Sequence, residues 1–326
     1  MPLSTGIFFA ETAPAWLGWA LWMGMAIANA LPWAIAWRPG ARGKAVGLVI
    51  ALLLTTVPPL GILGWANPLT AAGAVFPGLG FIGLAMIVAA WIAMALKRHR
   101  LVVAIALFAL ACNTVQLFRE APIAVGWTGL DTHYGRLATG TDNVISAFSR
   151  LLDVKEIAAD IPDGRTVVLP ETVLGHYTKA TARNLAETSA QLKARGSTLL
   201  VGAEAVQPDG SIRNILLAIG ATEGALQQRV PVPIGMWHPW SEGSVSMNVL
   251  DRGVHTVGHR RVAPLICYEQ LLVFPVLVSM AGGADTIVAV ANLWWARETS
   301  APAIQRQTTS SWARLFGVPV VHATNF

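Results

Sequence analysis

Charge is what this sequence has least of. Only 13% of its 326 residues are Asp, Glu, Lys or Arg, and their spread is uneven. None occurs from Thr12 to Trp37, from Ala45 to Leu96 or from Leu101 to Phe118. A helix needs about 20 apolar residues to cross a bilayer. The charge-free text therefore predicts a bundle of four transmembrane helices within residues 1–120, at about 13–37, 45–65, 76–96 and 101–118. Pro58-Pro59 in the second span, and the Gly- and Pro-containing text before the third, predict kinks or a re-entrant turn. A cleaved signal peptide is the rival reading of the first span, but it lacks a basic leading segment and further spans follow it.

Acidic residues are missing from the loops between these spans. Arg38, Arg42 and Lys44 separate the first from the second, and Lys97, Arg98 and Arg100 the third from the fourth. The loop between the second and third, Asn67 to Gly80, has no charge at all. The excess of Lys and Arg puts both basic loops in the cytoplasm. The expected location is the bacterial inner (cytoplasmic) membrane, multi-pass, with residues 121–326 on the periplasmic side. The same count removes nucleic acid from the expected partners. Net charge is +5, yet residues 121–326 hold 16 Lys+Arg and 16 Asp+Glu, which is zero net. The basicity belongs to the topology.

Cysteine is scarce too. Two residues, Cys112 within a span and Cys267 far beyond it, make no disulfide framework. An unpaired thiol kept in an oxidising compartment is suggestive of use. His255 and His259 have ligand-like spacing but stand in a looping, Gly-containing segment without Cys or acid partners, so no metal and no cofactor are expected.

From residue 121 the text is that of a globular α/β domain reaching 326. Pro122 to Trp127, Thr166 to Pro170, Thr198 to Ala203, Ser211 to Ala221, Ala225 to Val232, Val262 to Ile266, Thr286 to Ala291 and Val318 to Ala323 read as strands. Asp142 to Ile161, with Val144, Ile145, Phe148, Leu151 and Leu152 at amphipathic spacing, reads as a helix. So do Thr178 to Arg195, the segment from Cys267 through Met280, and Ala303 to Phe316. Pro208-Asp-Gly210 is a hairpin signal. Alternating strands and helices with hairpin neighbours predict layers of sheet and helix. The last apolar strand runs into Thr324-Asn325-Phe326, so the sandwich reads as unfinished at its C-terminus.

Two apolar strands end in polar residues: Leu-Pro-Glu171 and Leu-Ile-Cys267. As parallel neighbours they would bring both side chains to one sheet edge, where such folds place their sites. Glu171 as general base and Cys267 as nucleophile form a coherent pair. Taken alone, Cys267 reads as a core thiol more readily than as a nucleophile, and Glu171 reads as well as a helix start.

The ordered set Leu-Pro-Glu171, Val232-Pro-Ile-Gly235, Ile-Cys267-Tyr-Glu269, Ala291-Asn-Leu-Trp-Trp295 and Thr324-Asn325 resembles the nitrilase (carbon–nitrogen hydrolase) superfamily. With membrane spans before it, it is similar to apolipoprotein N-acyltransferases, although this bundle is shorter than their usual set. In that family the text runs approximately W-P-E, K-x-x-L-V-P-F-G-E, C-Y-E, S-N-D-A-W-F and T-N. The resemblance implies an αββα sandwich with a Glu–Lys–Cys triad, in which the cysteine carries an acyl group as a thioester. It implies a phospholipid or other acyl donor and a lipoprotein acceptor. It also implies further strands and a final membrane helix after the point where this sequence ends. Tyr268, Glu269, Asn292, Trp294, Met236 and Trp237 would line the pocket.

This sequence departs from that pattern twice. Gln228 stands where the lysine belongs, and its neighbour Arg229 would point to the opposite strand face unless the register shifts. Both are candidates for the lysine's oxyanion-stabilising place. Met236 replaces the glutamate of V-P-F-G-E. The replaced segment, Arg229-Val-Pro-Val-Pro-Ile-Gly-Met-Trp-His-Pro-Trp240, looks like the TraB proteins of conjugative plasmids. The expected function is a membrane-anchored, Cys-dependent acyltransferase linked to plasmid conjugation. The alternatives are a non-catalytic accessory protein of a conjugation or envelope machine and a membrane-tethered amidase.

Overall fold

The computed structural model describes residues 14–63, 67–136 and 141–326. Residue 13 of the first expected span and residues 64–65 of the second lie outside them, as does the side chain of Val144. The chain divides into two compact units. One holds the described residues up to Ile123 with Leu271–Leu277 and Ala303–Pro319, and the other Ala124–Gln270, Val278–Pro302 and Val320–Phe326.

The first unit is helical: α1 (Ala15–Ala36), α2 (Gly40–Thr56), α3 (Gly80–Ala95) and α4 (His99–Leu117). Among the described residues, Trp16–Ala36 and His99–Leu117 are each long and apolar enough to cross a membrane. A third span is counted if Pro68–Val75 and Gly80–Ala95, bent by 114°, are taken as one. The second expected span is shorter than the sequence suggests. Its helix has 17 residues, includes Arg42 and Lys44, and ends just before Pro58-Pro59. Pro cannot donate a backbone hydrogen bond, so Asn67 takes over at this break. Its Nδ2 donates to Thr55 O (3.3 Å), and its Oδ1 caps the following turn by accepting from Leu69 N (3.0 Å). The segment Ala303–Pro319 is fastened into the same unit by Ser311 Oγ donating to Thr70 O (2.5 Å) and Arg314 Nη2 donating to Asn113 Oδ1 (2.7 Å).

The second unit is built on two sheets. Sheet 1 runs β1 (Trp127–Gly129), β2 (Thr166–Val168), β3 (Thr198–Val206), β4 (Ile212–Gly220), β5 (Gly224–Gln227) in spatial order. Its first two pairings are parallel and the remaining two antiparallel. Sheet 2 runs β6 (His255–Val257), β7 (Arg260–Ile266), β8 (Thr286–Asn292), β9 (Val320–Asn325), antiparallel and then parallel twice. Strand residues alternate between faces. Leu200, Leu216, Ala218 and Leu226 of sheet 1 pack against Val262, Ile266, Val288, Val290, Val321 and Ala323 of sheet 2. Leu199, Val201, Ile215 and Leu217 turn the other way, onto α5 (Thr141–Ala159) and α6 (Lys179–Ala194). A side chain such as Leu200 or Leu216, wholly buried, contributes roughly 1.5–3 kcal/mol. Helix, sheet and sheet are thus layered within this unit. Helices α7 (Val273–Ala281) and α8 (Ala301–Phe316) link β7 to β8 and β8 to β9, and most of their length groups with the first unit.

Three expectations are corrected. The strand expected at 122–127 starts at Trp127, because a turn at Val125–Gly126, with Gly126 at φ +83°, ends the extended run. The expected strand 225–232 stops at Gln227, before the prolines 231 and 233. The segment of His255, expected to loop, forms β6, paired with β7 across Gly258 at φ +59°.

One glycine sets where the chain after β2 can lie. A Cβ at Gly202 would collide with Pro170 O, Glu171 Cα and Thr172 N. The backbone is tied down there, Gly202 N donating to Pro170 O (3.0 Å) and Leu174 N to Gly202 O (3.0 Å). Gly202→Ala is expected to cost about 1–3 kcal/mol, seen as a lower thermal midpoint. It should also slow alkylation of Cys267 by iodoacetamide in protein that remains folded.

Candidate active site

The inner faces of both sheets turn from apolar to polar at one end, where Glu171 and Cys267 meet. They were expected on neighbouring parallel strands of one sheet. Instead β2, two residues before Leu-Pro-Glu171 begins to turn, belongs to sheet 1, and β7, which ends at Ile266, belongs to sheet 2. The facing sheets, not a shared edge, bring them together. Both leave their strands through backbone that L-residues rarely adopt. Thr172, just after Glu171, has φ +58° and Cys267 itself has φ +54°.

The Glu171 carboxylate is buried and held from three sides. Oε1 accepts from Asn214 Nδ2 (2.6 Å), Oε2 accepts from Asn292 N (2.8 Å), and the Cys267 thiol hydrogen-bonds to the same carboxyl group. Burial pushes its pKa up to about 7, against the downward pull of these hydrogen bonds, and the Glu204 carboxylate adds to the rise. Burial likewise pushes the Cys267 thiol well above its ordinary value, and the Glu171 charge pushes it further. The N–H groups of Tyr268 and Asn292 act on the sulfur in the opposite sense, favouring thiolate. The pair is a protonated thiol bonded to a base poised near neutrality.

Gln228 faces the site and Arg229 does not. Gln228 N continues the ladder beyond β5 by donating to Asn214 O (2.9 Å). This puts the Gln228 side chain on the inner face. There its Oε1 accepts from Asn214 Nδ2 (3.0 Å) and its Nε2 donates to Ile266 O (3.0 Å), one residue before the thiol. Alternation sends Arg229 to the other side. It is buried with Nε 3.4 Å from Glu269 Oε1, its Nη2 at Pro264 O (3.5 Å) and Gly253 against its guanidinium.

Glu269 is the centre of that arrangement and not a pocket wall. Its Oε1 accepts from Arg229 N (2.9 Å) and Val230 N (3.2 Å), and its Oε2 from Ile266 N (3.0 Å). Burial pushes its carboxyl up, while Arg229 and the three backbone donors pull it back. It clamps the 228–230 segment to the backbone that leads into Cys267. Asn292 serves the site through its backbone N–H, and its Nδ2 donates to Thr172 Oγ1 (2.6 Å). Asn325 Nδ2 donates to Asn292 Oδ1 (2.8 Å) and to Gly135 O (2.9 Å), while its Oδ1 accepts from Thr132 Oγ1 (2.9 Å). Tyr268 is buried beside the thiol. Trp294 is part-buried under the Arg136 guanidinium, 5.6 Å from its ring centre. Met236 and Trp237 stand in the 232–245 loop. Met236 N donates to Val232 O, and Trp237 lines a separate cavity of about 580 Å³ with Trp240, Asp209 and Ser211.

Asn214 and Glu204 escaped the sequence reading. Glu204 on β3 is directly opposite Asn214 on β4, so both face inward. Each shares strand parity with buried Leu200 or Leu216, and a polar residue at a core-facing parity was the available signal.

No family profile matches this chain. Among curated proteins it is 35% identical over 343 residues to the conjugal transfer protein TraB of Agrobacterium fabrum, covering 100% of this chain and 79% of that protein. It is 34% identical over 331 residues to a probable TraB of Sinorhizobium fredii, covering 99% and 84%. Among solved structures, similarity extends to a variant of the Nesterenkonia AN1 amidase, of the nitrilase superfamily (14% identity, 61% of this chain and 75% of that one, TM-score 0.43). It extends also to a carbon–nitrogen hydrolase of Helicobacter pylori (14%, 61% and 72%, TM-score 0.41).

With a base near 7 and a thiol protonated throughout that range, modification of Cys267 by iodoacetamide should accelerate as pH rises through about 7. Glu171→Gln should lower the rate about 10²–10⁴-fold and flatten the profile. A profile rising only above pH 9 in the unmodified chain would mean that the thiol ionises unaided.

Proposed function

The chain belongs to the TraB family of conjugal transfer proteins, and on that premise we propose that it is a membrane-anchored acyl-transfer enzyme of the conjugation apparatus. The observation that carries this reading is the buried hydrogen bond between the Cys267 thiol and the Glu171 carboxyl. Glu171 takes the thiol proton as sulfur attacks a carbonyl. The S–C bond forms, the leaving group departs with that proton, and the acyl group remains on Cys267 as a thioester until an acceptor removes it. The N–H groups of Tyr268 and Asn292, which already act on the sulfur, are the donors we assign to the developing charge.

A lipid acyl donor is consistent with the first unit. Trp16, Trp19, Ile27, Leu31 and Ile35 of α1, and Val103, Leu107 and Leu110 of α4, present large apolar side chains outward. They support an inner-membrane location, with the basic loops around Arg38–Lys44 and Lys97–Arg100 in the cytoplasm. The domain 121–326 would then work on the periplasmic side, with phospholipid as donor and a lipoprotein or conjugation protein as acceptor.

A second reading, a fold kept for assembly without catalysis, is favoured by one observation. Gln228 Nε2 is committed to Ile266 O and brings no charge to the site. The two readings separate in one experiment. Purified protein incubated with phospholipid should gain the mass of one acyl chain, mapped to Cys267 and lost in Cys267→Ala. Gln228→Lys, which restores a cation at the vacant charge position, should raise the acylation rate about tenfold or more, given that deleting one oxyanion donor costs about 10²–10³. No adduct on either protein, while a lipoprotein acyltransferase forms one in parallel, would favour the assembly reading. Turnover of small amides without lipid would point to a tethered amidase.

A further inference from the structure

The polar row on the inner face of sheet 1 has an unusual charge balance. Glu204, Asn214 and Gln228 stand side by side across β3, β4 and the end of β5. Glu171 lies above them, bonded to Asn214. A charged side chain that acts on Glu171 is another carboxylate, Glu204, which raises its proton affinity further. The guanidinium nearest in sequence, Arg229, faces away and is taken up with Glu269. Where the resemblance leads one to expect an ammonium group, the protein supplies a neutral amide.

Two acceptors in this row are underused. The Glu204 side chain is one-fifth exposed, with His176 Nδ1 at 3.4 Å, and that histidine is itself about half exposed. The Oδ1 of Asn214, on a residue with no exposed surface, has no hydrogen-bond partner among the described residues. A buried carbonyl oxygen left unsatisfied costs about 1–3 kcal/mol. Such a cost is recovered when an N–H donor arrives. A partly exposed carboxyl group at the rim and an idle acceptor behind it call for the same ligand chemistry.

We propose that the site takes a substrate carrying its own positive charge, an ammonium or guanidinium group a few bonds from the reacting carbonyl, which Glu204 and Asn214 Oδ1 receive. The inference rests on Cys267 being the acyl-accepting nucleophile. In the step itself the Cys267 S–C bond forms and the bond from the carbonyl to its leaving group breaks. The thiol proton passes through Glu171 to that leaving group. The substrate's cation stands near the oxyanion formed in between, in the electrostatic role of a triad lysine. Glu204 is a specificity-determining residue in this scheme, and cationic acyl compounds are preferred over neutral ones of the same size.

A matched pair of reagents tests this on the full-length protein in detergent: N-(2-aminoethyl)-2-chloroacetamide, cationic at neutral pH, and N-(2-hydroxyethyl)-2-chloroacetamide, neutral. Each alkylates a thiol with loss of chloride, and the rate at Cys267 is read by intact mass. At low salt the cationic reagent should react about tenfold faster, the size expected for one partly screened charge pair. The preference should shrink towards one as salt approaches 1 M. It should vanish in Glu204→Gln and persist in Glu204→Asp, which keeps the charge. Equal rates in the unmodified protein, or a preference unchanged in Glu204→Gln, would overturn the charge assignment and leave the nucleophile standing. Failure of both reagents to label Cys267 would overturn the nucleophile itself and the inference with it.

Discussion

A carboxylate removed from water must be solvated by the protein, and Glu171 sets that requirement for everything around it. Desolvating an ionised carboxyl costs several kcal/mol unless hydrogen bonds replace the lost water. Here the replacements come from β4, from the end of β8 and from the thiol of Cys267. The last two can be supplied only when the two sheets are stacked in one register. Gly202 lets the Pro170–Thr172 backbone lie close enough on β3, and Asn325 steadies Asn292 from β9. The apolar contact between the sheets and the polar cluster at its end are therefore one construction. The cluster is left with a base whose proton affinity suits neutral pH, because burial raises the carboxyl further than its partners lower it.

A second buried carboxylate solves its problem differently. Glu269 is paired with Arg229 and accepts from three backbone N–H groups, so both members of the ion pair are committed. Breaking such a pair usually costs about 3–5 kcal/mol because one buried charge is left alone. That commitment explains why Arg229, although adjacent to Gln228, turns its charge away from the thiol. The consequence is a site that brings together a thiol, a carboxyl group and two neutral amides.

Much of this was legible in the amino-acid order. Leu-Pro-Glu171 and Leu-Ile-Cys267 were recognisable because apolar strands that stop at a polar side chain deliver it to a sheet end. The three charge-free stretches were legible as apolar helices, although α2 proved short, 17 residues ending just before Pro58-Pro59. The sheet to which each strand belongs was not legible, because periodicity reports faces and not neighbours. Nor was the choice between Gln228 and Arg229, which needs the β4–β5 register to decide. Asn214 and Glu204 were overlooked because each is a polar residue near one end of an otherwise apolar strand, a signal that becomes meaningful once Leu200 and Leu216 are known to face the second sheet. The 3-residue β6 is too short to carry a pattern.

Membership of the TraB family connects this chemistry to plasmid transfer, and that link can be put to the thiol directly. The decisive measurement is conjugal transfer frequency from donors whose own copy of this gene is replaced by Cys267→Ser, with the protein's level and membrane association checked by immunoblot. An acyl-transfer role for the Glu171–Cys267 pair predicts that transfer falls to the level of a deletion strain. Transfer at the unmodified frequency, with normal protein in the membrane fraction, would contradict it.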